Sequence, residues 1–196
     1  MKKITLDDIK GLDAYEQVRE EFRRRIIELK KKRRVAIGQQ VSLVFENRDT
    51  VIFQIQEMLR AERITDLDKI REEIVTYNDL IPEAGELSAT LFLEIEDQDH
   101  LREQLLKFLG IDEAVFLKIG KRSIRARFEE GRSKEDKISA VQYVKFPMDE
   151  DAIAGFSRGE EAKLTIDHPN YKVTVPIKPE TQSSLIEDLT RSPSPK

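Results

Sequence analysis

Polar and charged side chains concentrate at one junction of the chain, where an apolar run ends at Phe45 and a helical pattern begins. The candidate polar site that they form comprises Glu46, Asn47, Arg48, Asp49, Gln56, Glu57 and Arg60. A helix N-terminus beside an arginine suits an anion or a carbonyl ligand, and a carboxylate in a covered site can serve as an acid or a base. We therefore interpret Glu57 as the candidate acid or base. The alternative is a structural hydrogen-bond network that joins the helix to the sheet.

The helical pattern over 50–64 places large apolar residues on two opposite sides. One side holds a continuous stripe made of Val51, Ile52, Ile55, Met58 and Leu59. The other side holds Phe53 and Ile64, which a solvent-exposed face rarely carries together, so we expect a second element to cover it. Arg60 lies on this side, and a covered charge needs a partner. We therefore predict a buried pair between Arg60 and one of the nearby carboxylates, Glu57, Glu46 or Asp49.

Two histidines are further candidates for acid–base or metal chemistry. His168 follows Asp167 and precedes Pro169 and Asn170, so it is either a general base or part of a tight turn. His100 stands three residues after an aspartate, a spacing that could chelate a metal, but a di-iron carboxylate centre needs two such pairs and further glutamates. The chain has no cysteine, which excludes thiolate zinc sites and cysteine-bound iron–sulfur clusters. We expect no metal site and no cofactor.

Positive charge concentrates between Arg19 and Arg34, where nine basic residues stand against three acidic ones. A candidate anion patch on this helix comprises Arg23, Arg24, Lys31 and Arg34. It could bind phosphate or nucleic acid, although the chain is acidic overall and lacks the interleaved aromatic residues on which bases stack. The alternative is a solvated helix whose basic end complements the helix dipole. We therefore expect that nucleic acid is not the ligand.

Composition narrows the class of protein. The chain has 196 residues, a formal net charge of -4, and 39% hydrophobic residues, which is not the composition of a disordered chain. No apolar run approaches the roughly 20 residues that span a bilayer, and the first residues turn acidic before a signal-peptide core could form. Scans for dinucleotide, Walker, nucleophile-elbow and zincin motifs find none. We expect a soluble cytoplasmic protein without a membrane segment.

The periodicity predicts helices and strands in an uneven order. The predicted helices span 13–34, 50–64, 66–80, 99–109, 149–156 and 180–189, and the predicted strands span 41–45, 86–95, 114–119, 123–128, 139–146, 162–167 and 171–177. Hairpins late in the chain favour an α+β fold, with a mainly antiparallel sheet of about seven strands and helices packed on it. Pro176 is expected at a sheet edge.

We expect one compact domain over 1–190, helix-rich over 1–112 and strand-rich over 113–190. A disordered tail is expected over 191–196.

Several stretches of the chain resemble one family of bacterial and archaeal proteins, the domain of unknown function 3501 family. They are FENRDT at 45–50, QIQEM at 54–58, GELSAT at 85–90, ISAVQY at 138–143 and DHP at 167–169. The resemblance implies a single compact unit with no assigned activity and supplies no catalytic residue. The family's gene neighbourhood implies partners among rubrerythrin-type and iron–sulfur oxidoreductase proteins.

Three functions remain open. The leading hypothesis is a cytoplasmic accessory or binding protein, which would support an iron or oxidative-stress oxidoreductase pathway. The second is an enzyme of unknown reaction that uses Glu57, Arg48, Arg60 and His168. The third is phosphate or nucleic-acid binding through the basic helix over 19–34. The sequence leaves open whether copies of the chain assemble into an oligomer.

Overall fold

Two antiparallel sheets form the frame of the molecule. The structure is a computed structural model that describes residues 1–97, 99–129, 133–134 and 137–190. Its strands are β1 Arg34–Ala36, β2 Val41–Glu46, β3 Glu86–Leu93, β4 Val115–Ile119, β5 Arg122–Arg125, β6 Arg127–Phe128, β7 Ser133–Lys134, β8 Lys137–Ile138, β9 Val141–Pro147, β10 Ala162–His168 and β11 Tyr171–Pro176. Within the described residues, the first sheet has the order β1-β2-β3-β9-β6, the second has the order β11-β10-β4-β5, and β7 pairs only with β8.

Six α-helices in the described chain pack around these sheets. They are α1 Leu12–Arg33, α2 Arg48–Ala61, α3 Leu67–Asn78, α4 Leu101–Leu106, α5 Glu150–Ser157 and α6 Pro179–Thr190. Short 3-10 helices span Leu6–Asp8 and Ile111–Glu113. In the ranges that the structure describes, no helix combines the length and the apolar character that crossing a membrane requires.

A capping box fixes the start of α2. The side chain of Asn47 accepts a hydrogen bond from the Thr50 N–H at 3.1 Å, and the Thr50 hydroxyl accepts one from the Asn47 N–H at 2.9 Å. Both bonds satisfy backbone N–H groups that a helix start leaves free. Since β2 ends at Glu46, the chain turns from strand to helix within one residue, and the candidate polar residues lie at this turn.

The first sheet is buried on both of its faces. Leu87, Ala89 and Leu91 of β3 pack with the second sheet in the main apolar cluster. The opposite face of β3 carries Ser88 and Thr90, which are also buried, because α2 and α3 cover that side together with the chain's first residues. A second apolar cluster fills that layer, formed by Ile4, Val51, Ile55, Leu59, Ile74, Leu80 and Ile81.

The predicted fold class is confirmed, and its strand count needs refinement. The segment predicted as one strand over 123–128 is interrupted at Ala126, so that β5 joins the second sheet and β6 joins the first. Strand β1 has three residues, too few to show an alternating pattern. Together these two differences account for nine strands in two sheets instead of about seven. Pro176 ends the edge strand β11, as predicted, and the predicted disordered tail over 191–196 lies outside the described residues.

Candidate functional site

Helix α1 covers the second apolar side of α2, as the pattern predicts. The rings of Phe22 and Phe53 meet edge to face, with their centroids 5.6 Å apart. Tyr15 contacts Phe22 in the same manner at 6.3 Å. Edge-to-face aromatic contacts stabilise a packed interface beyond the area that they bury. The polar residues of α2 therefore face α1 and the N-terminal segment.

Glu57 is held by three hydrogen bonds from α1. Arg19 donates to both of its carboxylate oxygens, Nε to Oε1 and Nη2 to Oε2, each at 2.8 Å. The Tyr15 hydroxyl donates to Oε1 at 2.8 Å. The hydrogen bonds from Arg19 are the main cause that lowers the pKa of Glu57, and the bond from Tyr15 adds to it. Burial, followed by the bond to Glu57, raises the pKa of Tyr15. Glu57 is thus a bound carboxylate of reduced basicity.

The prediction of a buried pair for Arg60 is wrong. Its Nε donates to Oε2 of Glu16 at 2.8 Å, and 40% of its side chain is exposed. Tyr15 and Arg19 already donate hydrogen bonds to the Glu57 carboxylate. Arg60 pairs instead with Glu16, another carboxylate next to α2, which lies on α1. Glu46 and Asp49 do not contact it among the described hydrogen bonds. Arg60 is therefore a surface residue and not part of a buried network.

Gln56 fastens the N-terminal segment to α2. Its side chain is 1% exposed. The amide accepts a hydrogen bond from the Lys10 N–H at 2.7 Å and donates to the Lys10 carbonyl at 3.1 Å. Both backbone groups of one residue are thereby satisfied by one side chain. Gln56 is therefore a buried structural contact between α2 and the N-terminal segment.

Glu46 is a buried carboxylate that is surrounded by neutral hydrogen-bond donors. It is 2% exposed, and it accepts hydrogen bonds from the Thr50 hydroxyl at 2.5 Å, the Thr90 hydroxyl at 2.7 Å and the Gln54 amide at 3.0 Å. Thr90 and Gln54 were not predicted as site residues. Thr90 could have been identified from the sequence, because it lies on the polar side of the alternating pattern that predicts strand β3. The network joins β2, β3 and α2.

Arg48 points toward the short 3-10 helix at the start of the chain. Its Nη2 lies 2.6 Å from Oδ1 of Asp8, while its Nε is buried without a hydrogen-bond partner among the described atoms. Burial alone would raise the pKa of Asp8, but hydrogen bonds from Arg48 and Thr5 outweigh it and hold that pKa below its ordinary value. Arg48 therefore contacts neither Glu57 nor Arg60.

A cavity of about 330 Å³ lies between α1, α2 and the N-terminal segment. Asp49 and Gln56 are the members of the candidate polar site that line it, and the full lining comprises Asp8, Lys10, Val18, Glu21, Phe22, Arg25, Asp49, Ile52 and Gln56. Carboxylates and cations occur together in this lining. Such a cavity can hold a small ligand with groups of both charges.

His168 lies on the second sheet, apart from the candidate polar site. It is 3% exposed. Its Nε2 is 2.7 Å from the Leu109 carbonyl, and its Nδ1 accepts a hydrogen bond from the Asn170 N–H at 3.2 Å. The ring therefore carries its proton on Nε2, and both nitrogens are occupied. Asp167 pairs with Lys172 instead, at 2.9 Å. His168 holds the turn between β10 and β11 and is not placed to act with Glu57.

The aspartate and histidine whose spacing could chelate a metal, Asp97 and His100, are exposed. Nδ1 of His100 lies 2.9 Å from Oδ2 of Asp97, and both side chains are about half exposed. Among the described residues, no three side chains of the metal-binding types come together as a site.

One residue of the basic helix has a structural role that the sequence analysis missed. Arg33 is buried and donates to the carbonyls of Phe45 at 2.9 Å and Glu46 at 3.1 Å. It also donates to the Ser184 hydroxyl at 3.1 Å and forms an ion pair with Asp188. The signal was present, because position 33 continues the spacing of the apolar stripe of α1. Arg33 joins α1, β2 and α6.

The candidate anion patch is divided between two surfaces. Arg23 and Arg24 are exposed beside a shallow depression, which Glu20, Glu21, Ile27 and Glu28 also line. The carboxylates there offset the positive charge. Lys31 and Arg34 line a different and larger depression. The four predicted residues thus line two neighbouring depressions, which share Ile27.

This larger depression, which we name the basic groove, has a volume of about 670 Å³. It runs between the end of α1, β1, β11 and the first turn of α6. Its lining comprises Ile27, Lys30, Lys31, Arg34, Val35, Ala36, Val175, Pro176, Lys178 and Thr181. Four cations and five apolar residues are present in that lining, and no carboxylate is.

The cations of the basic groove differ in their pairing. Lys31 lies 2.6 Å from Glu28, and Arg34 lies 3.0 Å from Glu94. Lys30 and Lys178 have no carboxylate within 4.0 Å in the part of the chain that the structure describes. These two lysines therefore keep their charge available to an anion.

Comparisons with known proteins identify the family. A crystal structure described as a novel protein of unknown function from Burkholderia pseudomallei shares 34% sequence identity, with a TM-score of 0.91. The match covers 96% of this chain and 100% of that chain. The search of curated proteins finds no match. A family model described as Protein of unknown function (DUF3501) matches residues 3–189. Because this match covers nearly the whole chain, the protein belongs to the DUF3501 family.

Proposed function

We propose that this protein is a binding protein and that the basic groove is its binding surface for an anionic partner. The observation that carries the proposal is the composition of the groove: four cations line it and no carboxylate does. A surface of one charge sign attracts partners of the opposite sign and orients their approach. The apolar residues of the groove offer contact area that a bare phosphate ion could not use.

The bonding of the candidate polar site supports binding over catalysis. Tyr15 and Arg19 hold Glu57, Asp8 holds Arg48, and the Lys10 backbone holds Gln56. An acid or base must reach the proton that it transfers, and these groups are committed to contacts between elements of the fold. Their arrangement fits a structural network that joins α1, α2 and the N-terminal segment.

The partner that we propose is a protein of the redox setting that the family resemblance implies. A rubrerythrin-type or iron–sulfur oxidoreductase protein would present an acidic segment to the basic groove. The protein would then act in the cytoplasm as an accessory protein of an oxidoreductase pathway. In this proposal it contributes recognition, while its partner carries the cofactor.

A pair of charge reversals tests the proposal. The test variant is Lys30→Glu with Lys178→Glu, and the control is Lys69→Glu with Lys121→Glu. Both control lysines are exposed and lie outside the groove, and both variants change the net charge equally. Each protein is isolated from its own cells and analysed by native mass spectrometry. The purified partner is then titrated against each variant.

We expect the wild type and the control to retain the oxidoreductase protein and the test variant to lose it. The expected loss in affinity is at least about tenfold, since two charge pairs are removed and two repulsions are introduced. Equal retention of the partner by both variants would show that the groove is not the binding surface. Turnover of a substrate by the purified protein alone would favour an enzyme instead.

The cavity beside α2 supports a second candidate function, an enzyme or a receptor of a small ligand. Its lining brings Asp49 together with Lys10 and Arg25 in a volume of about 330 Å³. Asp49→Asn would preserve the size of the side chain and remove its charge. If this function is correct, Asp49→Asn weakens the binding of a small ligand found with the native protein, whereas the charge reversals in the basic groove do not.

A further inference from the structure

The basic groove lies where both sheets end. Strand β1 is an edge strand of the first sheet, and β11 is an edge strand of the second. Residues of both strands line the groove. An edge strand presents a row of backbone N–H and C=O groups that no neighbouring strand pairs, and such a row can accept another strand.

The hydrogen-bond pattern shows which groups of β11 point outward. The Ile177 N–H donates to the Ala162 carbonyl at 2.8 Å, so these residues form a bonded pair of the antiparallel ladder. Bonded and non-bonded pairs alternate along such a ladder. Thr174, opposite Thr165, is therefore in a non-bonded pair, and its N–H and C=O point away from the sheet. The same alternation applies to Lys172 and to Pro176, and Pro176 presents a C=O group but no N–H.

A side-chain contact connects β11 to the chain that follows β1. The Tyr171 hydroxyl donates to the Ile37 carbonyl at 2.6 Å and accepts a hydrogen bond from the Gln40 N–H at 3.2 Å. These bonds connect the start of β11 to the residues after β1. Away from this contact, Arg34 of β1 and Pro176 of β11 line the groove. The Tyr171 hydroxyl thus holds the start of β11 against the residues that follow β1.

We infer that the basic groove binds an extended acidic peptide segment, which adds as a strand to the outer edge of β11. The inference rests on the proposed function and specifies the form of its partner. Strand addition supplies backbone hydrogen bonds, and alternate side chains of the added strand supply specificity. Acidic residues of the peptide pair with Lys30 and Lys178, and its apolar residues contact Val35 and Val175. A folded acidic surface could not reach the backbone groups of β11.

The probe for this inference is a fluorescein-labelled peptide of alternating Val and Glu, about ten residues long and therefore somewhat longer than a typical strand. Two further forms carry N-methyl groups on the backbone of every second residue, each in one of the two registers. Fluorescence anisotropy measures the affinity of each form for the full chain. Strand addition uses the N–H groups of alternate residues only. We therefore expect one N-methylated form to lose binding and the other to retain it.

A matched pair of substitutions tests the edge of β11 itself. Thr174→Pro removes the outward N–H, which makes no ladder hydrogen bond, and Thr174→Val keeps that N–H while removing the hydroxyl. We expect Thr174→Pro to weaken peptide binding by about tenfold or more and Thr174→Val to change it by less than about twofold. Circular dichroism checks that both variants fold. If Thr174→Pro does not fold, the N-methylated peptides still test strand addition on the wild-type protein.

The outcomes separate this inference from the proposed function. If both N-methylated forms bind alike and the charge reversals still weaken the partner, strand addition is wrong while the proposed function stands. If the charge reversals leave the native partner bound, the proposed function itself fails. Tighter binding of a single-stranded oligonucleotide of equal charge would assign the groove to nucleic acid and overturn the inference. Self-association that the charge reversals abolish would assign it to a second copy of this chain, with the same consequence.

Discussion

Arg33 and Asp188 form an ion pair whose side chains are only 1% and 3% exposed. The pair connects α1 to α6 across 155 positions of the sequence. Arg33 also donates to the carbonyls of Phe45 and Glu46 at the end of β2, so one guanidinium of α1 satisfies acceptors from two further elements, β2 and α6. The groove proposed as the binding surface lies between α1 and α6, and this pair holds its two helical walls together.

We predict that Asp188→Ala destabilises the protein strongly. The substitution leaves the buried guanidinium of Arg33 without its counter-charge, which costs about 3–5 kcal/mol of unfolding free energy. Chemical denaturation measures the effect. Arg34→Ala serves as the control, because the Arg34 side chain is about half exposed. Similar denaturation midpoints for the two variants would show that the Arg33–Asp188 ion pair stabilises the protein no more than an exposed arginine does.

We predict that Arg60→Ala leaves the denaturation midpoint close to that of the wild type. Arg60 pairs with Glu16 at the surface, and solvent weakens such pairs. Glu57→Ala should lower the midpoint more, because Tyr15 is buried and loses the acceptor of its hydroxyl. A larger effect of Arg60→Ala than of Glu57→Ala would contradict the arrangement of α1 against α2.

The hydroxyl of Thr90 should stabilise the junction of β2, β3 and α2. Thr90→Val keeps the shape of the side chain and removes a donor to the buried carboxylate of Glu46. When a buried acceptor loses a hydrogen-bond donor, the unfolding free energy decreases by about 1–3 kcal/mol. Thr65→Val is the control, because Thr65 is exposed and lies outside this junction. Urea denaturation of both variants compares the two costs, and equal values would mean that the Glu46 network adds nothing.

Stability should fall in acid partly through Glu57. Its pKa in the folded protein lies below the ordinary value of 4.5, so the unfolded chain takes up the proton first as the pH decreases. The contribution of Glu57 is therefore complete above about pH 4.5 and is lost as the pH falls through the folded pKa. Unfolding free energies measured from neutral pH downward should decrease less steeply for Glu57→Gln than for the wild type. Parallel curves would rule out this contribution.

Gly38 should be required for the contact between Tyr171 and the residues that follow β1. Its φ of +77° is a conformation that glycine adopts readily, and an added Cβ would lie 2.3 Å from the Tyr171 hydroxyl oxygen. Gly38→Ala must therefore displace Tyr171 or strain the backbone, at about 1–2 kcal/mol for the backbone alone. Tyr171→Phe removes only the hydroxyl and should cost less. Thermal denaturation can rank the two variants, and the reverse order would contradict this account.

The α+β class, the main helices and the longer strands could be predicted because apolar spacing repeats along neighbouring residues. The covered side of α2 was also predicted, since Phe53 is a local feature of that helix, whereas Ile64 lies beyond its last residue, Ala61. The short strand β1 and the division of 123–128 between two sheets could not be predicted in this way. Such elements have too few residues for a period, and their partners in the sheets determine them.

The sequence by itself determined which residues are polar, where the helix after Phe45 begins and which sides of it must be covered. Only the tertiary structure decided which charges meet. Glu57 pairs with Arg19, 38 positions away, and not with Arg60 on its own helix. Spacing reports on neighbours within one element, whereas the pairing of charges depends on how two elements cross. For the same reason the basic groove became visible only when the end of α1 and the edge of β11 were placed side by side.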